Sequence, residues 1–308
     1  MFDSLVYILF SIIAVVFVFL FAVEKFSHQV QRLAGDKFKY VLEKMTKSPT
    51  VGTLVGTCVT AIMQSSTATT VMAVSLVHGG VLSFTNSLGI IFGANIGTTI
   101  TTHLIAFQLL DLAPFILVFG FILSKVGTRF QYLGKPIFYF GLIFSSLFII
   151  SVLVDPLKSN PLIIDLLAKS SGIFVSILVG IVLSTIFQAS AVISALAVIL
   201  AGGGLIGFTQ AFSIILGANI GTTTTALIAS SVMDRSAKRA AMAHFMFNVI
   251  GVILVIPLLD QFTWLITSLA SNIEVQVSLA QMLFNILSAI LGLIFIKQFE
   301  RLIVIMVR

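Results

Sequence analysis

Charge is what this chain has least of. Of its 308 residues, Asp, Glu, Lys and Arg together make up 9%, against about a quarter in an ordinary soluble domain. Hydrophobic residues make up 58% and the mean hydropathy is +1.17. Such a chain cannot cover a water-facing surface, which excludes a soluble globular protein and leaves an integral membrane protein. Its single cysteine, Cys58, excludes an internal disulfide and says little about compartment. One tryptophan, Trp264, makes no aromatic belt, although 28 phenylalanines suit lipid-facing helices. The formal charge of +6 does not point to nucleic acid, because in a membrane protein the placing of basic residues matters more than their sum.

The apolar runs long enough to approach a bilayer crossing cover residues 5–23, 82–107, 112–123, 137–154, 206–230, 240–259 and 277–296. Residues 5–23 lack a basic n-region and a small-residue cleavage site, so they read as a retained span and not a signal peptide. Residues 24–48 are charged and amphipathic, with Phe26, Val30, Leu33, Phe38 and Leu42 at near-helical spacing, and read as a helix along the membrane surface that Pro49 ends. No Asp, Glu, Lys or Arg lies inside an apolar run, which argues against a carboxylate proton relay and against an anion held by buried arginine. Without a Cys–His pair or metal cluster, a membrane enzyme is also disfavoured. His103 and His244 are the titratable residues within spans and read as packing residues, with His78 at the interface.

What the sequence does have is one polar, glycine-rich stretch, twice. QSST (64–67), Gly79-Gly80, Phe84-Thr85 and GANIGTT (93–99) return 124 residues later as QASA (188–191), Gly203-Gly204, Phe208-Thr209 and GANIGTT (217–223). Two copies of a polar element inside apolar sequence point to a transporter built from structural repeats. Each Gln-containing segment, 51–77 and 173–201, is open to two readings: one span with a polar centre, or two half-helices forming a hairpin that enters and leaves on one face. Charge favours the hairpin. With both segments as hairpins, 15 of the 17 Lys and Arg collect on one face, and only Lys158 and Lys169 on the other. The positive-inside rule then puts the amino terminus outside and the carboxyl terminus in the cytoplasm. Three full crossings would separate the hairpins, an odd number, so the repeats are expected to be inverted.

Irregular backbone at membrane depth survives only where protein or a water-filled cavity satisfies it. Ser, Thr and Asn cap new helices, and a half-helix start offers N–H groups to an anion while the preceding half-helix end offers carbonyls to sodium. The competing reading is helix packing by small residues. It suits scattered residues such as Ser145 and Ser151, but it explains neither the Gln, the Asn nor the repetition.

At these residues the chain resembles the sodium-dependent phosphate cotransporters, type II and their bacterial relatives. The likeness rests on Gln64-Ser65-Ser66-Thr67, Gln188 with Ser190, and both GANIGTT segments, with residues 239–248 and 281–285 as further signatures. It implies electrochemically driven import of inorganic phosphate with sodium, the substrate lying between hairpin tips. QASA departs from the expected QSSS, since Ala189 and Ala191 supply no hydroxyl. The expected architecture is all-α and membrane-embedded, with about seven full crossings and two inverted repeats, each holding a re-entrant hairpin and a broken span. Residues 1–130 are read as repeat one, 131–260 as repeat two, and 261–308 as a final span and cytoplasmic tail. Phosphate is expected at Ser65, Ser66, Thr67, Asn95, Thr98, Thr99, Ser190, Asn219, Thr222 and Thr223. Sodium is expected at Gln64, Ser66, Gly93 and Asn95, and at Gln188, Ser190, Gly217 and Asn219. No cofactor is expected beyond sodium as the coupling ion. The expected partners are phosphate, sodium and membrane lipid, not nucleic acid, in the plasma (inner) membrane; a homodimer is left open. Another oxyanion or a dicarboxylate is the alternative cargo, and an anion channel the more distant alternative.

Overall fold

The computed structural model describes residues 2–106, 109–169 and 172–308, which are helical almost throughout, with no strand among them. A long first helix, α1 (Phe2–Met45), leads into a short pair, α2 (Pro49–Met63) and α3 (Ser66–His78), and then into α4 (Phe84–Ala106). α5 (Ala113–Lys125) and α6 (Gly127–Val154) form an antiparallel hairpin, and α7 (Pro161–Lys169) lies beyond a 3-10 turn. The short pair then recurs as α8 (Ile173–Phe187) and α9 (Ser190–Gly202), followed by α10 (Phe208–Gly221) and α11 (Thr224–Ser230). α12 (Arg235–Val255), α13 (Leu259–Leu269), α14 (Ile273–Ile294) and α15 (Ile296–Met306) complete the chain.

Glycine decides how the two halves pack. A Cβ on Gly93 would fall on the backbone carbonyl of Thr53, and one on Gly97 on that of Thr57. The same contacts recur 124 residues on, Gly217 against Ile177 and Gly221 against Ile181. Gly56 against Ile90 is matched by Gly180 against Ile214. In each half the first helix of the pair therefore lies alongside the polar span, backbone to backbone and in the same direction, as small residues at four-residue spacing permit.

α14 joins the halves. Thr102 at one end of α4 meets Gln281, while Phe92 lies against Gly292, so α14 runs antiparallel to α4. Gln281 also meets Ser194, and Gly202 lies against Glu274, so α14 runs antiparallel to α9 as well. One buried core gathers around α6, α9, α10 and α14, with Leu147, Val198 and Phe212 fully enclosed; a second gathers around α3, α4 and α12, with Val74, Leu88 and Ile91.

Three expectations need correction. Residues 24–48 form no separate surface helix: α1 is unbroken for 44 residues, about 66 Å at 1.5 Å per residue, since nothing between residues 23 and 34 interrupts it. The first GANIGTT does not break its span, for α4 is continuous through it. Its glycines meet α2, and its hydroxyls bond back to carbonyls of their own helix instead of opening it. Only the second copy is interrupted, at Thr222 and Thr223. Lastly, among the described residues six helices are by themselves long and apolar enough to cross a membrane, against seven expected crossings. The seventh, residues 112–123, becomes α5, whose 13 residues extend about 20 Å, and the 3-10 turn Leu109–Leu112 before it adds about 8 Å toward a hydrocarbon core of about 30 Å.

Candidate functional site

Each short pair turns on a glutamine held in the left-handed region, Gln64 at φ 53°, ψ 29° and Gln188 at φ 52°, ψ 30°. That region is uncommon for a residue with a side chain, and the same outlier at the same place in both halves marks a constrained tip. At the first tip Ser65 caps α3, its Oγ accepting from the Ala68 N–H at 3.2 Å. Ala189 holds the equivalent position before α9 and caps nothing. The Gln64 amide is committed at both ends: Nε2 donates to the Ala61 carbonyl and Oε1 accepts from Thr101 Oγ1, both at 2.5 Å.

Both tips face one cavity of about 710 Å³. Gln64, Ser65, Ser66, Thr67 and Thr98 line it from the first half, and Gln188, Ala189, Ser190 and Ala191 from the second. Thr67 and Thr222 touch across the halves, Oγ1 to Oγ1 at 3.3 Å, so Thr222 stands directly behind the lining. Asn95, Thr99, Asn219 and Thr223 are buried in the polar spans and do not line the cavity. Asn95 donates to the Ile91 carbonyl at 2.9 Å, whereas Asn219 Nδ2 is buried without a protein partner. Gly93 and Gly217 are packing positions, and the Gly93 carbonyl accepts from Thr57 Oγ1 at 3.2 Å. Seven of the predicted side chains thus converge on one space, with side-chain oxygens able to meet a hard cation and hydroxyls able to donate to an oxyanion.

Two features escaped the reading of the sequence. α1 forms a wall of the cavity, and its Glu24, Ser27, His28 and Gln31 line it. Their i, i+3, i+4, i+7 spacing was the available signal, hidden because the amphipathic stretch was read from its apolar side. The second is a fully buried bridge behind the tips. Gln281 Oε1 accepts from Thr102 Oγ1 at 2.8 Å, and its Nε2 donates to Ser194 Oγ at 3.2 Å, with none of the three side chains exposed. Thr101 holds the first tip and the adjacent Thr102 reaches, through Gln281, the helix that follows the second. A separate space of about 240 Å³ between α12 and α14, walled by Phe247, Leu254, Phe284 and Leu291, is apolar and away from the tips. Among the described residues, no group of three His, Cys, Asp or Glu stands where it would hold a metal ion.

Comparison with known proteins gives the family. Over 268 residues, 86% of this chain and 87% of the relative, the chain is 33% identical to YqeW of Bacillus subtilis (strain 168). Over 231 residues it is 29% identical to YjbB of Salmonella typhimurium, whose name proposes inorganic phosphate export; the match takes in 74% of this chain but 42% of that protein. An 87-residue stretch, 27% of this chain and 14% of the relative, is 44% identical to the sodium-dependent phosphate transport protein 2C of Homo sapiens. No solved structure matches. The sequence model described as Na+/Pi-cotransporter matches residues 18–152 and 163–298. Since the matched residues hold both glutamine tips and nearly every wall of the cavity between them, this chain belongs to the Na+/Pi-cotransporter family.

Proposed function

We propose that the chain imports inorganic phosphate with sodium by alternating access, and that the cavity between the tips is where both are bound. The observation that carries this reading is the convergence of two equivalent tips, one from each half, on a single polar space. Alternating access in repeat-built transporters relies on halves of opposite orientation, and packing supports that here. α4 and α9 both run antiparallel to α14, so they run in the same direction. α9 returns through a five-residue turn into α10, which must therefore run against α4, its equivalent in the first half. The short helices of the two pairs have 13 to 15 residues, about 20–23 Å, which favours hairpins that enter and leave on one face.

In this reading the hydroxyls of Ser65, Ser66, Thr67, Thr98 and Ser190 donate to phosphate, with Thr222 beside them. Asn95, Thr99, Asn219 and Thr223 form the layer behind and hold the polar spans in place. Sodium takes oxygens of Gln64 and Ser66 in one half and of Gln188 and Ser190 in the other. Gly93 and Gly217 serve these sites by close packing, and Asn95 and Asn219 by orienting the helices. Residues 1–130, 131–260 and 261–308 are the working units. The protein resides in the plasma (inner) membrane with its amino terminus outside, as the distribution of Lys and Arg favours.

Radiolabelled phosphate uptake into proteoliposomes tests the proposal. An inward sodium gradient should drive accumulation that collapses when potassium replaces sodium. Uptake indifferent to sodium, or stronger for sulfate or succinate, would overturn it. The relative named for phosphate export favours the opposite direction, and loss of preloaded phosphate against an inward sodium gradient would establish that reading instead.

A further inference from the structure

The tips bring hydroxyls and amides to the cavity but no formal charge. Among the residues lining it, the ionisable side chains are Glu24 and His28, both on α1. They fall on one stripe of that helix with Ser27 and Gln31, and Gln31 Nε2 donates to Ser27 Oγ at 3.3 Å, which fixes the amide toward its neighbour one turn back. Lys25 stands off this stripe, 3.4 Å from Glu24 and 5.4 Å from the centre of the Phe21 ring, and does not line the cavity. The facing walls from α2, α3, α4, α8 and α9 contribute no titratable group. The cavity therefore has one charged wall and one hydrogen-bonding wall, with room between them for more than one small ion.

We propose that the α1 stripe is a second binding site in this cavity, distinct from the tips, where Glu24 takes the cation and His28, with Gln31, takes the oxyanion opposite Gln64–Thr67 and Gln188–Ser190. This rests on the sodium–phosphate reading above and adds to it a second site with its own side chains. The division of labour follows from chemistry: a carboxylate only accepts, whereas imidazole and amide N–H groups donate to phosphate oxygens. A carboxylate facing an anion repels it unless a cation lies between them. Sodium bound at Glu24 thus favours phosphate at His28, and by linkage phosphate favours sodium.

The two side chains are expected to act crosswise, which a merely structural defect would not do. In proteoliposome uptake, Glu24→Gln should raise the half-saturating sodium concentration about fivefold or more, the low end for coupled ligands. At saturating sodium the same variant should leave the KM for phosphate unchanged or lower it, since a repelling charge is gone. His28→Leu should raise the KM for phosphate about tenfold, as the loss of one bond to a charged group implies, and at saturating phosphate leave half-saturating sodium near that of the wild type. Gln31→Leu should show the phosphate signature in milder form. Both side chains are exposed to solvent, so folded protein is expected from each variant. An active wild type with both constants unchanged in Glu24→Gln and His28→Leu would overturn this inference alone. So would a parallel rise of both constants in each variant. A wild type that moves no phosphate with sodium would overturn the proposed function, and this inference with it.

Discussion

The turn at Gln64 and the turn at Gln188 share one backbone conformation, yet the side chains around them are in different states. At the first, Ser65 caps α3 and Thr101 holds the glutamine. At the second, Ala189 caps nothing, and Thr225, which stands where Thr101 does 124 residues earlier, has a buried hydroxyl without a protein partner. Asn95 is bonded to its own helix while its counterpart Asn219 leaves Nδ2 unpartnered. The buried hydroxyls of Ser184 and Ser213 add to the second half's unpaired set, against Thr46 and Thr70 in the first half. The steric skeleton has thus been kept in both halves while the polar layer has diverged. Backbone-to-backbone contacts tolerate no added atom. Polar atoms tolerate change so long as something else, here a substrate, an ion or water, can answer them.

Substitutions can break this comparison, and the largest effect should be the one on which the halves agree. Gly93→Ala and Gly217→Ala each push a Cβ into a carbonyl of the neighbouring helix. Both should cost about 3 kcal/mol or more and fail to give monodisperse protein by size-exclusion chromatography. Gly35→Ala, with open space around it, should behave as wild type. A half that accepted alanine would not share the skeleton.

Next in size is an effect on substrate. Ser66→Ala removes a cavity hydroxyl from the richer tip, and a lost bond to a charged group is about 1.5–3 kcal/mol, so the KM for phosphate should rise roughly ten- to a hundredfold. Ala189→Ser adds a hydroxyl to the poorer tip and should leave that KM unchanged or lower it. An indifferent Ser66→Ala would mean that the hydroxyl-rich tip is not where phosphate sits.

The caps exchange the characters of the two tips directly. Ser65→Ala makes the first resemble the second and should lower thermal stability in detergent by about 1 kcal/mol. Ala189→Ser should raise it by a similar amount, because the N-cap position before α9 is open to a side-chain acceptor. Shifts of the same sign would show that the tips differ in more than their caps.

Much of this was written locally. Gln64 and Gln188, each followed by small residues inside apolar sequence, announced both tips, and α3 and α9 begin within two residues of them. What misled was non-local. The glycines of GANIGTT read as a break because their partners, Thr53 and Thr57 on α2, lie 40 residues back in the chain. Gln281 reads only as the start of the secondary signature at 281–285, and its structural meaning depends on Thr102, 179 residues away. The cavity face of α1 went unnoticed because its apolar residues give a complete amphipathic pattern by themselves, and a polar stripe on such a helix ordinarily faces water.

The most telling effect is one whose sign should differ between the halves. Thr101→Val removes the donor to Gln64 Oε1 and leaves a partly buried acceptor unanswered, which should cost about 1–3 kcal/mol. Thr225→Val removes a hydroxyl that has no protein partner to lose. Replacing an unsatisfied buried donor with a methyl group of the same shape is close to neutral or stabilising. Thermal unfolding of the two purified variants without substrate should therefore show a lowered midpoint for Thr101→Val and an unchanged or raised one for Thr225→Val. Adding sodium and phosphate extends the test. If the second half keeps its hydroxyls for the loaded state, Thr225→Val should gain less stability from ligands than the wild type gains. Equal destabilisation by both variants in the absence of ligand would mean that Thr225 holds Gln188 as Thr101 holds Gln64, and the contrast between the tips would collapse.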